Sequence, residues 1–232
     1  DFLQQQDEDD RILEDCMKTA RQIALDLLIK MDVSGAYSNI ILDNVFTAER
    51  TNTRDKAFVT MLFYGVLERR MTLDYLIRYY SSIEFDKISV SVIQILRMGF
   101  YQLLYMDKIP ASAACNEAVN LAHLFSHEGT AKFVNGVLRG LLRKKDSFTF
   151  PDADKETADY ISLAMYHPRW LVKKWLKNYG RAETEALCAF DNTPAPVCLR
   201  VNTLVTTREK LMAKLTEAGA EVRASKWSAD GI

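Results

Sequence analysis

The chain has 232 residues, of which 48% are hydrophobic and 26% are charged. This composition supplies a hydrophobic core and excludes a disordered chain. Nine glycines and five prolines are too few for a many-turned sandwich or barrel, so the composition favours helices. No apolar run approaches the roughly 20 residues that span a bilayer, and the first residues lack the pattern of a signal peptide. We therefore expect a cytoplasmic protein.

The net charge of -1 is unevenly distributed along the chain. Residues 1–15 carry seven acids and one base, which makes an acidic leader. Residues 16–146 carry 17 bases and 13 acids, and the stretch from Gly129 to Lys145 has five bases and no acid. A positive surface of this kind is compatible with phosphate binding, although it does not identify the ligand.

Apolar residues recur at steps of three and four through most of the first 145 residues, which predicts amphipathic helices. Gly35 is predicted to end the first helix, and Pro110 to begin the fifth. Gly65 lies in the middle of the third helix, where it would let another helix approach closely. We expect an all-α bundle of six or seven helices, with stretches at 12–31, 39–48, 54–80, 90–106, 110–126 and 129–144.

The pattern changes after residue 145, where residues 146–155 lack helical periodicity. Residues 160–192 are again predicted to be helical, with Pro168 at a helix start. Strands are then predicted at 197–202 and 220–224, around a helix at 207–218 with a capping box from Thr206 and Glu209. The predicted domains are thus the acidic leader 1–15, the helical domain 16–145, a helical linker 146–192, and the beginning of a small α/β subdomain at 193–232.

No catalytic constellation is visible in the sequence. The motifs GxGxxG, GxxxxGK[ST] and GxSxG are absent. His123 and His127 lie four residues apart but have no obvious third ligand, so no metal site is expected. The cysteines, at 16, 115, 188 and 198, show no paired spacing, which argues against a disulfide scaffold or a zinc ribbon.

Three blocks of the first 145 residues resemble the NusB-like domain found at the front of bacterial ribosomal RNA cytosine methyltransferases of the RsmB, or Sun, family. They are the long helix that starts at Thr53, the segment from Ile109 to Val119, and the segment from Lys132 to Arg139. Two later blocks, Tyr166–Val172 and Leu199–Leu204, resemble the linker helix and the first strand of the methyltransferase region. The resemblance implies a NusB-like bundle followed by an RRM-like α/β subdomain.

This resemblance implies that the chain positions ribosomal RNA, of the small subunit, for methylation by a C-terminal domain that uses S-adenosylmethionine (SAM). The family's glycine-rich SAM loop and Pro-Cys motif have no counterpart here, and Cys198 follows Val197 rather than proline. No catalytic residue and no cofactor site are therefore expected in these 232 residues. The family mechanism needs an activated thiol close to the methyl donor, and neither is encoded here.

Basic residues of the helical domain are the first candidates for RNA contacts. Arg139 and Arg143 are four residues apart, and Lys132 lies seven before Arg139, so one helix face can hold all three. Arg21 is a further candidate by resemblance, because the first helix of the NusB fold tends to face RNA. The predicted RNA-binding residues are Lys132, Arg139, Arg143, Lys144, Lys145, Arg54, Lys56, Arg21, Arg200 and Asn202.

Two other functions remain open at this point. A non-enzymatic NusB-type antitermination factor would share the helical domain but would end near residue 145. A protein-interaction bundle would use the acidic leader to bind a basic partner. The oligomeric state and the target nucleotide are not predicted by any feature of the sequence.

Overall fold

The computed structural model describes residues 18–35, 37–48, 51–144 and 148–232. It forms two compact units, the first ending at Ala186 and the second covering Leu187–Ile232. The domain limits drawn from the sequence stay predictions, and the acidic leader and Lys145 lie outside the described residues. Among the described helices, none is both long and apolar enough to cross a bilayer.

Seven α-helices lie between Ala20 and Lys144 in the described part of the chain, which confirms a mainly α fold with six or seven helices at the front. A short 3-10 turn, Phe85–Lys87, separates the fourth helix from the fifth. Three further helices follow, the last of which lies in the second unit. The elements are α1 (Ala20–Ser34), α2 (Ser38–Ala48), α3 (Thr53–Glu68), α4 (Arg70–Tyr80), α5 (Val90–Tyr105), α6 (Ala111–Phe125), α7 (Glu128–Lys144), α8 (Thr157–Ala164) and α9 (Arg169–Asp191).

Helices α1 to α7 share one continuous hydrophobic core. Phe63 of α3 and Phe100 of α5 are fully buried in it, and α5 is covered over most of its length. The ends of α1 are fixed by local chemistry: Thr19 and Gln22 form a capping box, and Gly35 adopts a left-handed conformation at the C-cap, as the sequence predicts. The bundle therefore rests on apolar burial supported by well-defined helix ends.

Gly65 confirms the predicted close approach of two helices. A Cβ atom at this position would lie 2.1 Å from Cζ of Tyr101 on α5. Only the missing side chain lets α3 and α5 pack at this distance.

The long helix predicted over residues 54–80 is wrong in one respect, because the structure breaks it at Arg69. This residue has φ −99° and ψ 12°, and α4 starts at Arg70. The Arg69 guanidinium lies 4.8 Å from the ring centroid of Tyr105 and 4.7 Å from that of Tyr166, and it contacts Glu68. These tertiary contacts favour the break at a place where the sequence has neither glycine nor proline.

A buried ion network crosses the bundle between α1, α4 and α5. Arg97 is only 3% exposed and donates two hydrogen bonds to Asp74, at 2.6 and 2.8 Å, and one to Asp32 at 3.1 Å. Gln94 and Arg70 also donate to Asp32, both at 2.7 Å. Charges removed from water are tolerated only when they are paired in this way.

Helix α8 packs on α4, so the first unit extends beyond the seven-helix bundle. The hydroxyl of Thr72, which is a buried residue, donates to the carbonyl of Leu163 at 2.6 Å. Phe148 lies edge-on to Tyr75 and Tyr79 on the same helix. Helix α9 starts directly after Pro168, as predicted, and Gly180 interrupts it with φ 79° and ψ −179°.

In the second unit, α10 (Arg208–Glu217) is capped by Thr207 rather than by Thr206, one residue later than predicted. Gly219, at φ 86°, follows the helix in the left-handed conformation expected of a C′ residue. The backbone from Leu199 to Val201 pairs with residues 230–232 through a single antiparallel bridge, Arg200 to Gly231. The strand predicted at 197–202 is reduced to this bridge, and the strand predicted at 220–224 is wrong, because residues 220–224 form no bridge with any described residue.

Candidate nucleic-acid interface

Arg139 and Arg143 lie on the exposed face of α7, above a depression of about 420 Å³ that α7 shares with the first half of α6. The Arg139 side chain is oriented by Asn135, whose Oδ1 accepts a hydrogen bond from Nε at 3.0 Å. Both arginines are exposed, so their remaining N–H groups can reach a phosphate. The other residues of the depression are Ala111, Ser112, Cys115, Asn116 and Leu142.

The beginning of α6 adds positive potential to the same depression. Helix α6 starts after Pro110, without a side-chain cap and without an acid in its first turn. The first N–H groups of a helix carry partial positive charge, and Ser112 and Asn116 add polar side chains beside the arginines. Burial raises the pKa of the Cys115 thiol, and the charge of Arg139 opposes that shift only in part. Cys115 is therefore a thiol, not a thiolate, at neutral pH.

Lys132 shares α7 with the two arginines, but its charge is partly balanced. Its Nζ lies 3.5 Å from Oε1 of Glu128, the acid just before the stretch that carries none. Seven residues of helix place it about 10 Å from Arg139 along the axis. Lys144 lies exposed in the last turn, where the helix dipole favours cations, and its carbonyl accepts a hydrogen bond from the Tyr80 hydroxyl.

Arg21 is engaged inside the bundle. Its Nε donates to Oε1 of Gln102 at 2.8 Å, its guanidinium lies 5.0 Å from the Phe58 ring, and Glu117 lies at 4.0 Å. Burial lowers its pKa, with the charge of Glu117 acting in the opposite direction. In this structure Arg21 connects α1 to α3, α5 and α6 while only part of its surface faces solvent.

Arg54 and Lys56 lie at the start of α3. Arg54 is exposed, and Lys56 lies 5.5 Å from the ring centroid of Phe46 on α2. Arg54 is one turn before Phe58, the residue under Arg21, which places Arg54 on the side of α3 that faces α1. Lys56 is two residues further on, about 200° around the helix axis, and lies against α2. Neither residue belongs to the helix that carries Arg139 and Arg143.

Arg200 and Asn202 belong to the second unit. Arg200 is exposed and forms the backbone bridge with Gly231. The side chain of Asn202 accepts a hydrogen bond from the Leu204 N–H at 3.1 Å, which shapes the turn before α10. The Asn202 side-chain oxygen is thus used locally.

The structure brings together Arg139 and Arg143, and it adds Ser112 and Asn116, which the sequence did not single out. Both added residues lie in the segment from Ile109 to Val119, which is one of the blocks that carry the family resemblance. Whether any predicted residue contacts RNA stays a prediction.

Other chemistry is not assembled in the described part of the chain. No group of three or more His, Cys, Asp or Glu side chains could hold a metal ion there. His123 contacts Glu128 at 3.4 Å instead. Cys115 and Cys188 are buried, whereas Cys198 is exposed.

Two family models match the chain in sequence order. The NusB family matches residues 18–143, and the ferredoxin-like domain of RsmF/B-like methyltransferases matches residues 167–232. Together they define a class of chain in which a NusB bundle is followed by a ferredoxin-like region.

The chain belongs to the NusB family, in the form that precedes the methyltransferase region of the RsmB, or Sun, proteins. It is 35% identical to the probable ribosomal RNA small subunit methyltransferase B of Bacillus subtilis, over 92% of this chain and 47% of that one. The chain thus spans about half the length of this relative. It is also 38% identical to the transcription antitermination protein NusB of Bacillus velezensis, over 53% of this chain and 93% of that one.

Solved structures give the same fold. The crystal structure of PH0851 superposes with a TM-score of 0.61 at 18% identity, covering 90% of this chain and 47% of that chain. The NusB chain in the crystal structure of antitermination factors NusB and NusE with dsRNA gives a TM-score of 0.50 at 22% identity, covering 54% of this chain and 94% of that chain.

Proposed function

We propose that this chain is the RNA-binding region of a SAM-dependent ribosomal RNA cytosine-5 methyltransferase that modifies the small subunit. In the whole protein, these residues hold the RNA while a further domain transfers the methyl group. Ribosomal RNA as substrate also supports a cytoplasmic location.

The observation that carries the proposal is the order of the two matched regions. A free-standing NusB accounts for only 53% of this chain, whereas the B. subtilis methyltransferase is similar over 92% of it. The ferredoxin-like region from residue 167 onward therefore favours the methyltransferase over the antitermination factor.

The proposed RNA contact is the depression beside Arg139 and Arg143. Phosphate oxygens would accept hydrogen bonds from the two guanidinium groups, and the uncapped start of α6 adds partial positive charge. Such contacts fix the register of the RNA without reading its sequence. Ser112 and Asn116 add donors and acceptors for the sugar or base edges.

The residues of this chain do not fit a SAM site. The sequence has no glycine-rich loop of the GxGxxG type, and the described residues contain no strand followed by such a loop and a helix. The methyl donor, and the thiol that attacks cytosine, are assigned to the remaining part of the whole protein.

The test is RNA binding by the variant Arg139→Glu/Arg143→Glu. We expect its affinity for a small-subunit rRNA hairpin to fall at least about tenfold, because charge reversal prevents the two side chains from binding phosphates. The slope of log K against log salt should fall by about 1 for each phosphate that is no longer bound. Fluorescence anisotropy at four salt concentrations measures both quantities.

The matched control is Lys30→Glu/Lys87→Glu, which changes the net charge by the same amount on α1 and the 3-10 turn. Its affinity should fall by less than about twofold, since neither Lys30 nor Lys87 lines the depression. Equal losses of affinity in the two variants would show that only the net charge of the protein matters, and would reject the proposed surface. Circular dichroism checks that both variants are folded.

A further inference from the structure

Helix α9 presents a second positive surface that lies outside the site described above. Between Arg169 and Tyr179 the sequence contains four basic residues and no acid. Lys173, Lys174 and Lys177 are all exposed, and Trp170 is 68% exposed although tryptophan is usually well buried.

These side chains share one face of the helix. At 100° per residue, Trp170, Lys174 and Lys177 fall within an arc of about 60°, and Lys173 lies at its edge. The opposite side of α9 packs on protein: Val172 is fully buried, and the Trp175 ring lies 5.6 Å from the His167 ring. In this chain Trp170 therefore lies on the side of α9 opposite to its buried face.

The lysines of this face keep their charge available to a ligand. Lys174 and Lys177 form no ion pair within the described residues. The flanking arginines differ: Arg169 donates to Asp159 at 2.8 Å, and Arg181 donates to Asp154 and Glu185. The hydrogen bond from Arg169 lowers the pKa of the Asp159 carboxyl, which shows how firmly that arginine is engaged.

We infer that Trp170, Lys174 and Lys177 form a binding surface for single-stranded RNA. An indole ring stacks on any unpaired base, and lysines spaced along the same face contact the neighbouring phosphates. This inference rests on the proposed function and extends it, since α9 would hold a single-stranded segment of the RNA that the bundle binds.

Charge and shape favour RNA over two other ligands. An amphipathic helix that lies on a membrane needs a broad exposed apolar face, whereas α9 exposes one aromatic ring on this arc and turns Val172 to protein. An acidic peptide would form ion pairs with the lysines, but its carboxylates would not require the exposed indole ring. Duplex RNA offers no unstacked base for the ring.

The experiment measures binding of a 12-nucleotide oligouridylate to the full chain by fluorescence anisotropy. Trp170→Ala should weaken binding about tenfold, and Trp170→Phe should keep most of the affinity, because it keeps a ring to stack. Lys174→Gln/Lys177→Gln should lower the salt slope by about 1.4, since each phosphate bound on a single strand contributes about 0.7.

Two matched controls lie in the second unit, one on α10 and one at Trp227 in the segment that follows it. Trp227 is 96% exposed, and Lys210 and Lys214 are exposed lysines that form no ion pair within the described residues. Each control variant, Trp227→Ala or Lys210→Gln/Lys214→Gln, should change the affinity by less than about twofold. The reason is that the inference places the stacked base and its neighbouring phosphates on α9, not on these residues.

The outcomes separate this inference from the proposed function. Two results together would overturn the α9 surface alone. The Trp170→Ala variant would bind oligouridylate as the wild type does, and the separate Arg139→Glu/Arg143→Glu variant would lose hairpin binding. A wild-type chain that binds neither RNA would overturn both. Binding to anionic phospholipid vesicles or to polyglutamate that depends on Trp170, with no such dependence for RNA, would reassign the surface and reject the inference.

Discussion

The two compact units are each stabilised by a different kind of interaction. In the first, helices α1 to α7 share a continuous apolar core, and α5 is buried along most of its length. In the second, α10 has no buried residue, and Val197, Leu204, Val205 and Trp227 are exposed. Backbone hydrogen bonds between residues 199–201 and 230–232 order that region instead. Side-chain burial therefore dominates the stability of the first unit and contributes little within the described part of the second.

The largest effect is expected where the first unit buries charge. Arg97→Met leaves Asp74 and Asp32 facing each other without the guanidinium, and should lower the free energy of unfolding by about 3–5 kcal/mol. Arg70→Met removes a 46% exposed partner of Asp32 and should cost no more than about 1 kcal/mol. Urea unfolding followed by circular dichroism measures both, and equal costs would show that the network is not effectively buried.

The same substitution in the two units sharpens the comparison. Leu62→Ala opens a cavity in the core and should cost about 2–5 kcal/mol. Leu204→Ala acts on a side chain that is 96% exposed and should change the free energy of unfolding by less than about 0.5 kcal/mol. A cost for Leu204→Ala as large as that for Leu62→Ala would mean that both units depend on side-chain burial to the same degree.

Alanine substitutions at two glycines of the first unit compare the effect of side-chain packing with the effect of helix propensity. Gly65→Ala places a methyl group against Tyr101 and should destabilise by about 1–3 kcal/mol. Gly136→Ala, on α7, meets nothing within 4 Å and should stabilise by about 0.5–1 kcal/mol. Thermal unfolding measures both shifts. Stabilisation by both substitutions would show that Tyr101 moves aside at little cost.

Much of the first unit could be predicted because its signals are local. Apolar periodicity located the helices, Gly35 located an end, and Gly65 located a close approach. The break at Arg69 could not be predicted, because rings from α5 and from the segment after α8 favour it. The strand pairing of the second unit could not be predicted for a similar reason: residues 197–202 and 220–224 have comparable strand composition, and only the chain path shows that residues 230–232 pair with residues 199–201.

The candidate site was predicted in part. Arg139 and Arg143 followed from charge and helical spacing, whereas Ser112 and Asn116 come from another helix and needed the packing of α6 on α7. Counting charge along the chain did not predict that the charge of Lys132 is partly balanced. Glu128 lies one residue before the acid-free stretch and contacts Lys132 from the preceding turn of the helix.

The packing of α8 on α4 has a consequence for recognition by other molecules. The NusB protein of B. velezensis is matched over 93% of its length by 125 residues, so almost nothing of that chain remains to form a counterpart of α8. In this chain residues 148–164 contact the Thr72 hydroxyl and the rings of Tyr75 and Tyr79, and Tyr79 is still 53% exposed. Residues 148–164 therefore contact a face of α4 that a bundle ending at α7 would expose. A molecule that binds this face of α4 in a free-standing bundle would meet residues 148–164 in this chain.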